Sequence, residues 1–296
     1  MKSKVDRRTK KIKRERKTER KTERKTERKT ERKTTSHNRR HKSKSLLKGL
    51  RATLKNYKKL QKEHNIKDVP FSKTVSKGTE ASCNRVDYHY QNYSNVMDLF
   101  KKINHPSTCF FKEGDAFLSL NISNMKKGLH PLDNMKSFIR NLKLCLKKKG
   151  RFIPVILNLI TDDGAHANIM LIDKKDKLIE LYEPHGARVS SSVLGGVVGA
   201  YKKKISAIRM FWKGILPRFK VVNIVDFRRE TAFQMARDPS HHSGFCVTWT
   251  ILFVHYRLLN SHVPLPILIN YISMRVTTLK LLQYAKYVEE NIKGKI

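Results

Sequence analysis

Apolar residues recur at helical spacing directly after Pro131, where the chain becomes clearly globular. They lie three or four positions apart, as on one face of a helix: Met135, Phe138, Ile139, Leu142, Cys145 and Leu146. Lys147–Lys149 and then Gly150 supply a favourable charge and a stop at the carboxyl end. We therefore expect a helix here, with Cys145 as a buried thiol of its apolar face.

Apolar runs after Gly150 predict a sheet followed by closing helices. The predicted strands are Phe152–Ile160, Ala167–Asp173, Leu178–Tyr182 and Arg218–Asp226, the second and third being joined by a turn at 174–177. The segment Ala187–Ser206 is small and Gly-rich, then basic. Helices are predicted over Cys246–Asn260 and Val276–Ile292, on either side of a Pro-broken apolar stretch at Val263–Met274. This order indicates an α+β fold.

The first 82 residues show a different pattern. The tetrapeptide Glu-Arg-Lys-Thr occurs five times from Glu15 to Thr34 without a hydrophobic residue, so we expect residues 1–45 to be a disordered basic tail. Ser45–His64 predicts an amphipathic helix with a Lys-rich face, and Asn65–Ser82 a linker. The mixed segment Asn84–Lys126 predicts some strand or loop. The predicted domains are thus 1–45, 46–82 and 83–296.

Charge changes this picture by adding nucleic acid as a partner. The 296 residues carry 64 Lys and Arg against 25 Asp and Glu, a net charge of +39. A basic tail can neutralise phosphates without sequence specificity or act as a nuclear address; the alternative is a solvated, non-specific cationic tail. Lysines of the body such as Lys202–Lys204 are expected on a solvated face, which could extend a nucleic-acid surface.

Several classes of protein are excluded by pattern alone. No window approaches the roughly 18 consecutive apolar residues of a membrane span, and no apolar stretch follows the basic start, so neither membrane nor secretion is expected. The four cysteines have wide, unpatterned spacing, which fits neither a disulfide scaffold nor a zinc site. We expect an intracellular protein with reduced thiols.

Cys246 is the strongest candidate for chemistry. It follows Ser243-Gly244-Phe245 and opens an apolar helical run, so its thiol would lie at the positive end of a helix dipole, which favours the thiolate. Backbone amides near Gly244 could bind an oxyanion. The alternative interpretation is a small apolar residue at the start of a helix.

A base and an orienting acid for this thiol are predicted from the hairpin. With a four-residue turn, Asp173 pairs with Leu178, and the same register sets His166 opposite His185. Glu183 then lies on the face of His166, one diagonal step away. The alternatives are a strand-edge histidine without a role and a solvated glutamate before a turn. The rival carboxylates Asp162 and Asp163 read as loop residues.

Three strings carry a resemblance to a known family: GAHANIMLID at 164–173, YEPHG at 182–186 and GFCVTW at 244–249. They resemble cysteine-protease-like proteins of large DNA viruses, and through them the adenovirus-protease and ubiquitin-like-protein protease superfamily, whose chain order is His, Asp or Glu, Gln, Cys. The resemblance implies a papain-like, adenain-like α+β fold with His166 as base, Glu183 as orienting acid and Cys246 as nucleophile. It implies Gln234 as the oxyanion residue, although it lies further from Cys246 than is usual; Asn168 or backbone amides are the alternatives.

The leading hypothesis is therefore a cysteine peptidase of a large DNA virus that hydrolyses peptide or isopeptide bonds. Its substrate would be a viral structural protein or a ubiquitin-like conjugate. The rivals are an acyltransferase with the same triad and a non-catalytic, nucleic-acid-binding virion protein that retains the fold. No cofactor and no metal are expected, because His241 and His242 lack ligand spacing and no apolar strand leads into Gly195–Gly199. Tyr182 and Trp249 are expected to pack in the core.

Overall fold

A computed structural model describes residues 56–75, 108–111, 117–121, 129–131, 135–161, 164–184, 198–224 and 246–292. The chain divides into two compact units, Met1–Asn56 and Tyr57–Ile296, and the account below concerns the second. The predicted basic tail at 1–45 and the predicted oxyanion residue Gln234 lie outside the described residues.

The described strands form one mixed six-stranded sheet. Its members are β1 (Phe117–Asn121), β2 (Leu129–Pro131), β3 (Phe152–Thr161), β4 (Gly164–Asp173), β5 (Leu178–Tyr182) and β6 (Lys220–Asn223). Their order across the sheet is β2-β1-β3-β4-β5-β6. The β1–β3 and β5–β6 pairs are parallel, whereas the other neighbours are antiparallel. β3 and β4 thus occupy the centre.

The strand predictions are confirmed, with shifts of a few residues at the ends. Because β3 and β4 are central and covered on both sides, their sequences are almost continuously apolar. Asp173 pairs with Leu178 across the 174–177 turn, and this register continues to Ile169 opposite Tyr182. The mixed segment Asn84–Lys126 contains β1, which pairs in parallel with β3.

Five helices with defined bounds accompany the sheet in the described part of the chain. They are α1 (Met135–Lys147), α2 (Val198–Ile215), α3 (Cys246–Leu259), α4 (Leu265–Arg275) and α5 (Thr278–Ile292); residues 56–63 are also helical. The helix predictions that correspond to α1, α3 and α5 are confirmed. None of these helices is by itself long and apolar enough to cross a membrane; α4 and α5 reach that measure only together, with a bend of 102°.

Two helices were missed by the sequence pattern. α2 begins in the segment that the sequence indicates is small, Gly-rich and basic. It was not predicted because its lysines interrupt the apolar pattern formed by Ile205, Ile208 and Trp212, which the helix buries. In α4, the prolines lie at the start: Pro264 is the N-cap and a proline occupies the first turn. Proline is tolerated there because those backbone N–H groups have no partner within the helix.

The two faces of β4 and β5 are covered by different helices. On one face, the Trp212 indole Nε1 of α2 contacts the Met170 sulfur of β4 at 3.2 Å. On the other, Phe253 of α3 stacks on Tyr182 of β5 with 5.3 Å between ring centroids. Every residue of α3 from Cys246 to Leu258 is buried, so α3 is the central helix of the core.

The described part of the predicted linker, residues 65–75, packs on the helices instead. Ile66 and Val69 are buried, and the Asp68 carboxylate accepts hydrogen bonds from Tyr256, Tyr271 and Arg275. Sequence composition alone suggested a linker because the segment is mostly polar, whereas its few apolar side chains and one carboxylate suffice to anchor it. The predicted boundary at residue 83 consequently lies inside the second compact unit.

The expectation of reduced thiols is wrong for two of the cysteines. Cys109 and Cys145 form a disulfide with 5.5 Å between their Cα atoms, across 36 residues of sequence. Cys145 is buried on α1 as expected, but as half of a cystine and not as a thiol. Pairing over such a distance is set by how the segment before β1 folds back onto α1, which no spacing pattern reveals.

Candidate active site

Cys246 is the first residue of α3, as predicted. Its side chain is buried, with 8% of its surface exposed, and it retains its thiol whereas Cys109 and Cys145 do not. The first turn of α3 contains no acidic residue that would offset the positive end of the helix dipole. The positive end of the helix dipole therefore lies close to Cys246.

The axial position of α3 follows from its contacts with β5. Arg257 meets Glu180 and Phe253 stacks on Tyr182, so α3 runs antiparallel to β5. From Phe253 back to Cys246 the helix rises about 10 Å at roughly 1.5 Å per residue, the length of about three strand residues. Tyr182 pairs with Ile169, and three residues before Ile169 in β4 is His166. Cys246 therefore lies near the end of the strands at which β4 begins and β5 ends.

His166 lies in β4, where its backbone pairs with Leu159 of β3. Asn168, two residues further along β4, belongs to the face of Met170 that α2 covers, because alternate residues of a strand share a face. The predicted partner position, His185, lies outside the described residues, as do Asp162 and Asp163.

Glu183 directly follows β5 and is completely buried, so its interpretation as a solvated charge before a turn is wrong. Its Oε2 atom accepts a hydrogen bond from the ammonium of Lys204, a residue of α2. The amide of Asn168 is assigned with its nitrogen towards the carboxylate, where it donates to Oε2 at 2.7 Å and approaches Oε1 at 3.3 Å. A buried carboxylate with two donors on one oxygen has a defined orientation.

Lys204 corrects the expectation that Lys202–Lys204 lie on a solvated face. Its side chain is only 2% exposed, because α2 presents this position to the sheet beside Ile205. Sequence reasoning missed it because a lysine within a basic stretch is usually solvated. The available signal was its spacing of four and eight residues from the apolar positions Ile208 and Trp212.

Asn168 was considered as an alternative oxyanion residue. Its side chain is buried and its amide contacts Glu183, so its described role is to hold the carboxylate. Tyr182 and Trp249 pack in the core as expected: both are fully buried and both stack on Phe253. No cluster of three or more His, Cys, Asp or Glu side chains suited to a metal ion occurs among the residues that the structure describes.

A second buried charge cluster, absent from the predictions, ties the carboxyl half of α3 to the sheet. Arg257 Nε donates to both Glu180 oxygens at 3.1 Å, and its Nη2 lies 3.4 Å from Asp173. Arg151 Nη2 binds Asp173 at 2.5 Å. A single arginine inside the apolar run of α3 was the signal, since an unpaired charge would not be buried there.

Burial and pairing shift the pKa values of this cluster in opposite directions. Burial raises the pKa of Glu180, and the attraction of Arg257 reverses only part of that rise. Burial also acts on Asp173, but hydrogen bonds from Arg151 and the Asp176 backbone, with the charges of both arginines, leave its pKa below the usual value. Burial, followed by the neighbouring Glu180 charge, raises the pKa of Tyr182 far above its usual value.

Comparison with known proteins yields distant likenesses. No family model matches the chain. An ankyrin repeat protein of Acanthamoeba polyphaga mimivirus is 24% identical over 131 residues, which are 39% of this chain and only 17% of the mimivirus protein.

Among solved structures, the SUMO protease Ulp1 with its catalytic cysteine oxidised to a sulfenic acid has a TM-score of 0.41 at 11% identity, covering 82% of this chain and 94% of Ulp1. ChlaDub1 from Chlamydia trachomatis has a TM-score of 0.36 at 12% identity, covering 68% of this chain and 90% of ChlaDub1. At these TM-scores the likeness is too weak to support an inference.

Proposed function

We propose that this protein is a thiol-dependent hydrolase, a cysteine peptidase of a large DNA virus with a papain-like, adenain-like arrangement. Cys246 acts as the nucleophile, His166 as general base and acid, and Glu183 as the carboxylate that orients the imidazole. Gln234 assists at the oxyanion. The similarity to a mimivirus protein supports the viral origin.

One observation carries the proposal: Glu183 at the end of β5 is completely buried, and α3 begins with Cys246 near the end of β5 and the start of β4. Buried carboxylates are costly unless they are paired, and a buried carboxylate near a helix that begins with a thiol fits a thiol–imidazole–carboxylate arrangement in which His166, early in β4, is the base.

The chemistry of such a site proceeds in two steps. His166 accepts the proton of the Cys246 thiol, and the thiolate sulfur adds to the carbonyl carbon of the substrate. The tetrahedral adduct collapses as His166 returns the proton to the leaving amine, which leaves a thioester on Cys246. Water, deprotonated by His166, then adds to the thioester, and release of the acid restores the thiol.

The substrate we propose is a protein, either a viral structural protein or a ubiquitin-like conjugate, cleaved at a peptide or isopeptide bond. The basic tail would hold the enzyme on nucleic acid and raise its local concentration without altering the chemistry. An acyltransferase with the same triad would differ in passing the acyl group to a side chain instead of to water, so only that enzyme would depend on acetyl-coenzyme A.

Labelling by an electrophilic thiol probe tests the proposal. The full-length chain would be labelled across pH 5–9 and the modified cysteine located by peptide mass mapping. We expect rapid labelling of Cys246 near neutral pH, its absence in Cys246→Ala, and a loss of roughly 100-fold in His166→Ala, as for removal of a general base. His262→Ala is the matched control, because His262 is exposed and, among its described contacts, donates only to the His64 carbonyl. Labelling at the rate of an ordinary thiol of pKa about 8.5 would overturn the proposal.

A further inference from the structure

We infer that Lys204 is a positioning residue of the proposed active site: its ammonium keeps the Glu183 carboxylate ionised and fixed so that it can hold the His166 imidazole. The inference rests on the proposed function. It concerns a residue that sequence reasoning assigned to a solvated surface.

Both members of the ion pair, Lys204 and Glu183, are buried. Glu183 is fully buried and Lys204 is 2% exposed, and the ammonium contacts Glu183 Oε2. A carboxylate removed from water without a cation takes up a proton, because desolvation penalises the charged form. A protonated Glu183 could not stabilise an imidazolium, so the ion pair is what makes this buried acid usable.

The ammonium is delivered by a rigid element. α2 is anchored to the sheet by the contact between Trp212 and Met170, and its buried residues Ile205 and Ile208 lie on the same side. Lys204 therefore reaches Glu183 from a packed helix and not from a mobile surface position. Asn168 donates to the same oxygen at 2.7 Å, which fixes the rotation of the carboxylate about its axis.

Lys204 is the charged group whose contact with Glu183 the structure describes. Two further buried carboxylates of the sheet, Asp173 and Glu180, lie on the opposite side, where Arg257 of α3 binds them. On the Glu183 side, β4 contributes Asn168, which has no charge. The described positive charge that bears on the protonation state of Glu183 therefore comes from α2.

The test measures the labelling rate of Cys246 in full-length Lys204→Met across pH 5–10. At pH 7 we expect the rate to fall about 10- to 100-fold, to the level of Glu183→Gln. Above about pH 8 the Lys204→Met rate should recover as the unpaired carboxylate ionises, since burial raises carboxyl pKa values by up to about 3–5 units. Glu183→Gln has no carboxylate to ionise, so its rate should rise only with the ordinary ionisation of the thiol, and the Lys204→Met rate should exceed it above about pH 8. Lys204→Arg keeps the charge and should restore most of the rate.

Two controls separate positioning from folding. Lys213→Met changes an exposed lysine of the same helix and should label like wild type. The double variant Glu183→Gln/Lys204→Met should label like Glu183→Gln alone, because Lys204 acts only through Glu183. In the double variant both replaced side chains are uncharged, so no buried charge loses its partner. This comparison therefore also stands if Lys204→Met by itself does not fold.

Different failures give different results. A further loss on adding Lys204→Met to Glu183→Gln, or a Lys204→Met profile equal to that of wild type at every pH, would overturn this inference while leaving the proposed function intact. Slow labelling of wild-type Cys246 would overturn the proposed function, and the inference with it.

Discussion

Arg257→Met offers the sharpest test of how the structure holds α3 in place. The wild-type guanidinium is 2% exposed, donates to both oxygens of the fully buried Glu180 and gives a further hydrogen bond of 2.8 Å to the Val263 carbonyl. Methionine fills much of the same volume but supplies no donor. Glu180 then keeps the Tyr182 hydroxyl at 2.7 Å and loses its counter-charge.

The magnitude follows from this one-sided loss. Removing one member of a buried ion pair costs about 3–5 kcal/mol, because the remaining carboxylate must either stay charged without compensation or take up a proton at pH 7. For a unit of roughly 150–250 residues, 1 kcal/mol corresponds to about 2–4 °C in Tm. We therefore expect Arg257→Met to lower Tm by about 6–20 °C.

The assay is thermal unfolding followed by circular dichroism and calorimetry at pH 7. The exposed Lys213→Met serves as the control and should shift Tm by no more than about 2 °C. The double variant Arg257→Met/Glu180→Gln removes the stranded charge and should recover at least half of the loss. A shift below about 2 °C in the single variant, or a double variant no more stable than the single one, would refute the reasoning.

Two further predictions concern Asp173 and the disulfide. The pKa of Asp173 is lowered in the folded protein, so its contribution to stability is present above the unfolded value near 3.9 and is lost as pH falls. The unfolding free energy of Asp173→Asn, measured in urea, should therefore depend less steeply on pH than that of wild type between about pH 5 and 2. A slope equal to that of wild type would contradict this. Reducing the Cys109–Cys145 disulfide, which closes 36 residues of sequence, should lower the unfolding free energy by about 4 kcal/mol. Cys109→Ser should show the same loss and no response to reductant, whereas peptide maps without a linked pair would refute the bridge.

The elements of the sheet and most of the helices were predictable because their signals are local. A period of about 3.6 marks α1, and long apolar runs mark β3 and β4, which are buried on both faces. The register of the β4–β5 hairpin was predictable from the length of its turn, since four residues between Asp173 and Leu178 fix every later pair. The position of Cys246 at the start of a helix was predictable because an apolar helical run begins at that residue.

What failed depended on partners distant in sequence. Lys204 and Glu183 are 21 residues apart, and Arg257 and Glu180 are 77 apart, so neither pair leaves a spacing pattern. The same holds for Asp68, whose partners lie about 190 to 207 residues further on. Composition treats each of these charges as solvated, because that is the usual fate of an isolated charge.

The sequence by itself thus determined the periodic elements, the hairpin register and the position of Cys246 at the start of a helix, since each is encoded within a few consecutive residues. The tertiary structure alone decided which charges are buried and what neutralises them. The physical reason is that a charge leaves water only where a partner is already positioned, and the packing of α2 and α3 on opposite faces of the sheet supplies those partners.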